Sequence, residues 1–474
     1  MRKLENPKYL TRKGLRSFIK AVRREKGKRA RKTSLSRHNL TMKRKAELTG
    51  SVFIFKRFGR SWEKPLPPKP SLPEYIEYLS LKENAFGPKN GRLPKKVNLM
   101  VPPCFSLIDH DSCSDSFTFL RLLYDAIING RTEEITIDYS KCSRIDVDAS
   151  ICMDLIIAQY NEYLNRCERK GHFGLYPNII RPINYSEPNI LKVLFSIGAY
   201  RNLKGLHIRY DDVVPLPVLI NSMKNANCWQ QDEIDHTKIV DYISECLRRM
   251  ERELTADAEN EFYKVIGEIM SNAEEHSTMP HRFAIGFFQE HNTEEHFGIF
   301  NFSIFNFGGT IYDTFKSPDC KNKKCVEQME ALSRDYTTKG WFTKPDFQEE
   351  TLWTLYALQE GITSKNEKRG NGSIQYIENF FRLKGDMGKD NISQLVIMSG
   401  NTRIIFDGSY SIIKRPSKDG KREYKMITFN PSNDIHEKPD KNFVTFAPQY
   451  FPGTMISARI LIKFNNTNEA GDGQ

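Results

Sequence analysis

The stretch EFYKVIGEIMSNAEEHS, residues Glu261 to Ser277, is the most informative segment of this chain. Within it, apolar side chains recur at the spacing of one helix face, at Phe262, Val265, Ile266 and Ile269. This periodicity predicts an amphipathic helix whose apolar face packs on a core.

Two polar residues of the same segment, Glu268 and Asn272, are four positions apart and so project from one side of the predicted helix. A carboxylate can orient or deprotonate a water molecule, and an amide oxygen is a hard ligand that suits Mg²⁺. The alternative is an ordinary solvated helix face, because Glu and Asn are common on helix surfaces.

Two strand-like segments further along the chain carry glycines beside polar residues. Residues His296 to Ile311 form an apolar, aromatic run that ends in a turn containing Asn306 and Gly308. We expect a central strand entering a tight turn, where glycine lets the backbone approach a ligand. A second such run, Met455 to Phe464, follows Gly453-Thr454, a small turn with a hydroxyl that can contact a phosphate.

A third segment places glycines and cations before a helical pattern. Gly370 and Gly372 precede apolar residues at helical spacing, and Lys365 and Arg369 stand just before them. Free N–H groups and the helix dipole at such a helix start favour an anion. The spacing of two glycines alone is weak evidence for a phosphate site.

In their order and separations, these four segments resemble the N, G1, G2 and G3 boxes of the GHKL ATP-binding superfamily, over roughly Asp232 to Asn465. The resemblance implies that Glu268 is the catalytic or water-orienting acid and that Asn272 is the Mg²⁺ ligand. It further implies that the nucleotide lies near a set of residues from the other three boxes: Asn306, Gly308, Lys365, Arg369, Gly370, Gly372 and Thr454.

The chain departs from the family pattern at several points. The G1 box of the family begins with Asp, whereas this chain has Asn306, whose amide oxygen can accept a hydrogen bond from adenine while its NH₂ can also donate one. The second glycine of that box is Thr310, and residues 312–369 form a long, Lys-rich stretch in the position of the ATP lid. No phosphoacceptor helix is recognisable around His236, which argues against a histidine kinase.

The region upstream resembles a STAS domain, the fold of anti-sigma-factor antagonists, over about Asn98 to Tyr210. Residues Glu134 to Leu164 predict a strand, a polar turn and a helix, and Ile190 to Leu206 add a further apolar pattern. In that family a serine directly after an Asp is phosphorylated. Here Asp148 is followed by Ala149, and Ser150 comes one position later, so a phosphorylation switch and a domain used only for docking remain alternatives.

Basic residues are concentrated at the N-terminus. The chain of 474 residues has a net charge of +12, yet residues 1–60 contain 21 Lys and Arg against three Glu, so the remainder is acidic. Residues Arg12 to Arg31 have apolar side chains at helical spacing. Such an arm suits a nucleic-acid backbone; an acidic protein, an anionic membrane surface and a solvated tail are the alternatives. The clustered prolines of Leu66 to Pro70 predict a stiff linker.

Cysteine usage and hydropathy favour a cytoplasmic protein. The nine cysteines are odd in number and scattered, which is typical of reduced thiols. No apolar run approaches the ~20 residues of a membrane span, and we expect no signal peptide. Cys320 and Cys325 are close in sequence but lack a second Cys/His pair nearby, so zinc is only a minor alternative.

We therefore expect an α/β protein with four regions: a basic arm (1–62), a Pro-rich linker (63–97), a STAS-like domain (98–215) and a GHKL-type α/β sandwich with a mixed sheet (216–474). The expected function is Mg²⁺-dependent ATP binding with slow hydrolysis, used as a conformational switch. A protein serine/threonine kinase or partner-switching regulator is the first alternative, and a non-hydrolysing scaffold is the second. The expected partners are nucleic acid at residues 1–60 and a protein at the STAS-like domain; a homodimer is an open alternative.

Overall fold

The computed structural model describes residues 53–57, 60–64, 69–79, 93–175, 177, 179–196, 210–222, 227–275, 279, 281–293, 295–337, 346–364, 372–384, 390–416 and 423–464. These residues form helices together with parallel and antiparallel sheets. The α/β class expected from the sequence is therefore confirmed. The predicted helix in the basic arm, residues 12–31, lies outside the described residues.

The N-terminal elements include two features that the sequence did not predict. Strands β1 (Phe53–Arg57) and β2 (Arg60–Lys64) pair antiparallel across the expected boundary between the basic arm and the linker. Helix α1 (Glu74–Leu79) lies inside the predicted linker, where Leu79 is buried. Helix α1 therefore contributes Leu79 to a hydrophobic core.

A parallel α/β unit follows. Its elements in chain order are β3 (Lys96–Met100), β4 (Cys104–Phe105), α2 (Cys113–Ile128), β5 (Glu134–Asp138), β6 (Arg144–Ile145), α3 (Val147–Arg169), β7 (Ile179–Ile183) and α4 (Pro188–Ser196). Strands β3, β5 and β7 form a parallel sheet in that order, and β4 pairs with β6. The strand and helix predicted between Glu134 and Leu164 are confirmed as β5 and α3.

The rest of the chain builds a second sheet with several helices. Its elements are β8 (Val213–Ser222), α5 (Cys228–Arg248), α6 (Ala256–Glu275), β9 (His281–Asn292), β10 (His296–Phe307), α7 (Ile311–Lys316), α8 (Lys323–Thr337), α9 (Glu349–Ala357), α10 (Gly372–Lys384), β11 (Gln394–Phe406), β12 (Ile413–Pro416), β13 (Glu423–Met426) and β14 (Val444–Lys463). The helix predicted around Glu261 to Ser277 is confirmed as α6, and the two predicted strands lie within β10 and β14.

The large sheet has the strand order β11-β14-β10-β9-β8, and each of its four pairings is antiparallel. The prediction of a mixed sheet in this region was therefore wrong. The short connection between β9 and β10 permits only antiparallel pairing, because a parallel neighbour requires a crossover of a dozen residues or more. Parallel pairing occurs in the upstream unit instead.

Helices cover both faces of the antiparallel sheet. Side chains alternate between the faces along a strand, so on β10 Phe305 and Phe307 join one core while Phe302 and Ile304 join another. The first core also contains much of α3, which packs against β9 and β10. The second core contains the apolar faces of α5, α6, α9 and α10.

Helix α3 is consequently buried along one face, whereas Ala158, Glu162 and Asn165 on its other face are exposed. Its buried residues include Met153, Ile156 and Ile157, which share a core with Phe283 and Phe287 of β9. Burying each large apolar side chain contributes about 1.5–3 kcal/mol, so this contact is a substantial part of the fold. One continuous core therefore crosses the boundary expected between residues 215 and 216. None of the described helices is long and apolar enough to cross a membrane.

Candidate functional site

A row of polar residues crosses the antiparallel sheet from edge to edge. The register pairs Asn221 of β8 with Arg282 of β9, Arg282 with Asn306 of β10, Asn306 with Thr454 of β14, and Thr454 with Ser399 of β11. Paired residues on neighbouring strands project from the same face. Ile304, two positions before Asn306, belongs to the core beneath α5, α6, α9 and α10, so the row faces that helix layer.

The structure brings together two of the predicted site residues, Asn306 and Thr454. The backbone N–H of Thr454 donates to Oδ1 of Asn306 at 3.3 Å. The Thr454 and Ser399 hydroxyls are 2.9 Å apart, and Ser399 Oγ accepts a hydrogen bond from the N–H of Ile311 at 2.9 Å. Because Asn306 is almost fully buried, its side chain is fixed on the sheet face that the helices cover.

The predicted glycine turns adjoin this row. Gly308 has a φ of +127°, and its N–H donates to the carbonyl oxygen of Pro452 at 3.0 Å. Its own carbonyl accepts from the hydroxyl of Tyr78 on α1 at 2.9 Å. Gly453 has a φ of +149°, and a Cβ there would overlap the carbonyl oxygen of Asn306. Only glycine allows β14 to pass this close to β10.

Thr310, which stands where the family has a second glycine, has a local structural role. Its side chain caps α7 by accepting from the N–H of Asp313 at 3.0 Å, while the Asp313 carboxylate accepts from the N–H of Thr310 at 3.0 Å. This reciprocal pair is a capping box, which satisfies two backbone donors at a helix start. Thr310 therefore begins a helix directly after the turn at Gly308.

Helix α6 carries Glu268 and Asn272, and both side chains are half-buried. Asn272 and Glu274 differ by two residues, which places them on opposite flanks of the helix at 100° per residue. Glu274 bonds to Arg282 of β9, and α6 packs over β9 and β10. The flank with Glu268 and Asn272 is therefore the one turned away from the Arg282 cluster, on the β10 side of the helix.

Helix α10 approaches the same flank. Glu261, near the start of α6, pairs with Arg382, near the end of α10, at 2.8 Å. Packed helices joined at opposite ends run antiparallel, so Gly372 at the start of α10 lies towards the end of α6 that carries Asn272. Lys365, Arg369 and Gly370, the other predicted residues of this box, lie outside the described residues.

The main feature that sequence reasoning missed is the cluster around Arg282, whose side chain is fully buried. Its Nε donates to Glu274 at 2.8 Å, and its Nη2 donates to Asp232 at 2.6 Å and to Asp235 at 3.1 Å. Asn221 Nδ2 donates to Asp232 at 2.6 Å. The available signal was a single Arg at the start of an apolar strand, since a buried charge requires partners of opposite charge.

Electrostatics in this cluster are not balanced, because one guanidinium meets three carboxylates. Burial, aided by the charge of Asp232, raises the pKa of Glu274 to about 7 even though Arg282 opposes this shift. Arg282 Nη1 has no hydrogen-bond partner among the described residues. Burial also lowers the pKa of the neighbouring His236, which favours its neutral form.

The serine considered as a phosphorylation site is buried in the core that α3 shares with the antiparallel sheet. Ser150 has no exposed surface, and its hydroxyl has no partner among the described residues. Asp148 is equally buried and accepts from the N–H of Leu107 at 2.9 Å and from the Ser457 hydroxyl at 3.2 Å. Burial, together with the charge of Asp146, raises the pKa of Asp148 to about 7.

The stretch interpreted as an ATP lid contains the three helices α7, α8 and α9. Trp353 of α9 is fully buried and its indole N–H donates to Ser333 of α8 at 3.2 Å. Much of the described stretch is thus part of the core. Cys320 and Cys325 are also buried, and the described residues contain no group of three or more His, Cys, Asp or Glu side chains placed to hold a metal.

Comparison with protein-family models, with curated proteins and with solved structures gives no match for this chain. The assignment of a function therefore depends on the geometry of the polar row and of the two helices above it.

Proposed function

We propose that this chain binds ATP with Mg²⁺ between the antiparallel sheet and helices α6 and α10, and that it hydrolyses ATP slowly as a conformational switch. The observation that carries the proposal is the polar row, in which Asn306 and Thr454 are bonded to each other on the sheet face below α6. A buried amide and a hydroxyl in a helix-covered row are suited to a purine base and to the groups attached to it.

Helix α6 supports the rest of the proposed site. Asn272 would hold Mg²⁺ through its amide oxygen, and Glu268, one turn earlier, would orient the attacking water. Gly372 at the start of α10 supports a phosphate position, because the free N–H groups of a helix start favour anions. Mg²⁺ would neutralise the phosphate charge when bound.

Substitution of the two α6 residues tests this division of roles. We expect Asn272→Ala to lose at least about tenfold in affinity for MgATP, equivalent to about 1.4 kcal/mol, because the metal would lose its protein ligand. Glu268→Ala should keep ATP binding and lose roughly 10²-fold or more in turnover, because the water would lose its orienting group. Calorimetry measures the first effect and phosphate release the second.

An unchanged MgATP affinity in folded Asn272→Ala protein would disprove the metal assignment. If the wild-type chain binds no ATP with or without Mg²⁺, the proposed function itself is wrong.

A serine/threonine kinase or partner-switching regulator is the second candidate. The contact between α3 of the STAS-like region and the back of the proposed ATP-binding sheet favours this candidate, since it joins the two regions in one core. The burial of Ser150 argues against that residue as an acceptor in this conformation. Transfer of the γ-phosphate of labelled ATP to a protein would support the kinase, whereas release of free phosphate alone would support the ATPase.

A further inference from the structure

The buried cluster around Arg282 links three elements to the strand next to Asn306. Arg282 and Asn306 are register partners on β9 and β10, so their Cβ atoms lie roughly 5 Å apart on one face of the sheet. The guanidinium bonds Glu274 of α6 on one side and Asp232 and Asp235 of α5 on the other. Arg282 of the sheet is thus joined by ion pairs to both helices.

Glu274 is two residues after Asn272, in the last turn of α6. A helix segment this short is rigid, so the position of Glu274 determines the position of Asn272 over the sheet. The bond from Arg282 Nε to Glu274 is charge-assisted and fully buried, which makes its geometry well defined.

We propose that Arg282 and Glu274 form a positioning clamp that holds the end of α6 at the height over Asn306 at which Asn272 can ligate Mg²⁺. This inference rests on the proposed function and adds two positioning residues to it. Neither residue needs to touch the nucleotide. The clamp acts by fixing the distance between Asn272 on α6 and the polar row on the sheet.

The proposal requires the acceptor atom of residue 274 and does not require its charge. Glu274→Gln retains an oxygen that can accept from Arg282 Nε, whereas Glu274→Ala removes it. The quantity to measure is the Mg²⁺ gain, defined as the ratio of the ATP dissociation constant in EDTA to that in Mg²⁺. Calorimetry on the full-length chain gives both constants.

We expect the Mg²⁺ gain of Glu274→Gln to stay within about threefold of wild type and that of Glu274→Ala to fall by about tenfold or more, the effect of one well-placed interaction. ATP binding in EDTA should change little in either variant, because it depends on the sheet residues. If Glu274→Ala fails to fold, Glu274→Leu fills the same space without an acceptor and should show the same loss.

Two controls separate positioning from general destabilisation. Glu261→Ala removes a carboxylate from the same helix, where it pairs with Arg382 at the surface, and should leave the Mg²⁺ gain unchanged. Asp232→Asn weakens the α5 side of the Arg282 cluster and should lower stability without lowering the Mg²⁺ gain, since α5 carries no proposed ligand.

The clamp would be refuted by equal Mg²⁺ gains in Glu274→Ala and wild-type protein, or by equal losses in Glu274→Gln and Glu274→Ala. The second result would mean that residue 274 acts through its charge. Absence of any ATP binding in the wild-type chain would refute the proposed function, and with it the clamp that rests on that function.

Discussion

At the scale of single residues, the buried carboxyl of Asp148 makes stability depend on pH. Its pKa is raised from an ordinary value of 3.8 to about 7, so the folded chain favours the protonated form. The free energy of unfolding therefore falls as pH rises between about 4 and 7 and is then constant. Below this window the penalty is absent, because Asp148 is neutral in both states.

Asp148→Asn should remove this penalty. The amide can accept from the N–H of Leu107 and donate to Ser457, so both contacts of the carboxyl are kept. Relative to wild type, we expect the free energy of unfolding of the variant to be higher by about 2–3 kcal/mol more at pH 8 than at pH 5. The reason is that roughly two pKa units of the shift lie between these pH values. Urea denaturation at both pH values measures the difference. An equal effect at the two would show that Asp148 has no raised pKa.

Substitution of Asn306 tests whether this residue contacts the purine base of the proposed nucleotide. Asn306→Asp replaces a group that accepts and donates with one that only accepts, which favours the adenine amino group over the guanine oxygen. We expect the ratio of ATP to GTP affinity to rise by about tenfold. Asn301→Asp is the matched control, since Asn301 is on the same strand but on the opposite face. An unchanged ratio in Asn306→Asp would place Asn306 away from the base.

At the scale of elements, the approach of β14 to β10 depends on a single glycine. An alanine at position 453 would overlap the Asn306 carbonyl and come within 2.8 Å of the Cα of Phe307, at a φ of +149°. We expect Gly453→Ala to cost about 2–5 kcal/mol, the sum of backbone strain and overpacking. Gly130→Ala is the control, because Gly130 also has a positive φ but open space around it.

Thermal unfolding of the two glycine variants separates strain from overlap. The free energy of unfolding of Gly130→Ala should fall by only about 1–2 kcal/mol, because the substitution adds left-handed backbone strain but no overlap. Equal losses in the two variants would show that β14 can move away from β10 and that the turn at Gly453 is not rigid.

At the scale of the whole molecule, we expect the basic N-terminal region to bind nucleic-acid backbone separately from the proposed ATP site. Deleting residues 1–60 should abolish the binding of DNA or RNA and keep ATP binding, because α1, which bonds Gly308 through Tyr78, remains in the truncated chain. For the full chain, log K should fall by about 0.9 per log unit of salt for each duplex phosphate contacted. Mobility shifts over a salt series measure this slope.

If the full-length chain shifts neither DNA nor RNA at low salt, the arm does not bind nucleic acid. An acidic protein surface then becomes the better partner for its 21 Lys and Arg residues.

The sequence alone determined the elements whose apolar residues follow a clear period. The four-residue spacing in α6, the aromatic run of β10 and the alternation in β5 all predicted the correct element, because each pattern reflects which face of a local segment is buried. The resemblance to the GHKL boxes implied that Asn306 and Thr454 lie near a nucleotide; the structure makes them register partners on β10 and β14, and their nucleotide role stays a prediction. The sequence did not predict α1, whose short pattern lies among prolines.

Tertiary structure alone decided what those buried faces pack against. Arg282 meets carboxylates from residues 232, 235 and 274, and Asp148 meets a hydroxyl 309 residues away, so neither contact has a local signature. The antiparallel strand order and the packing of α3 against β9 and β10 are likewise set by long-range contacts. Periodicity records that a face is covered, whereas the identity of the covering element depends on contacts between distant parts of the chain.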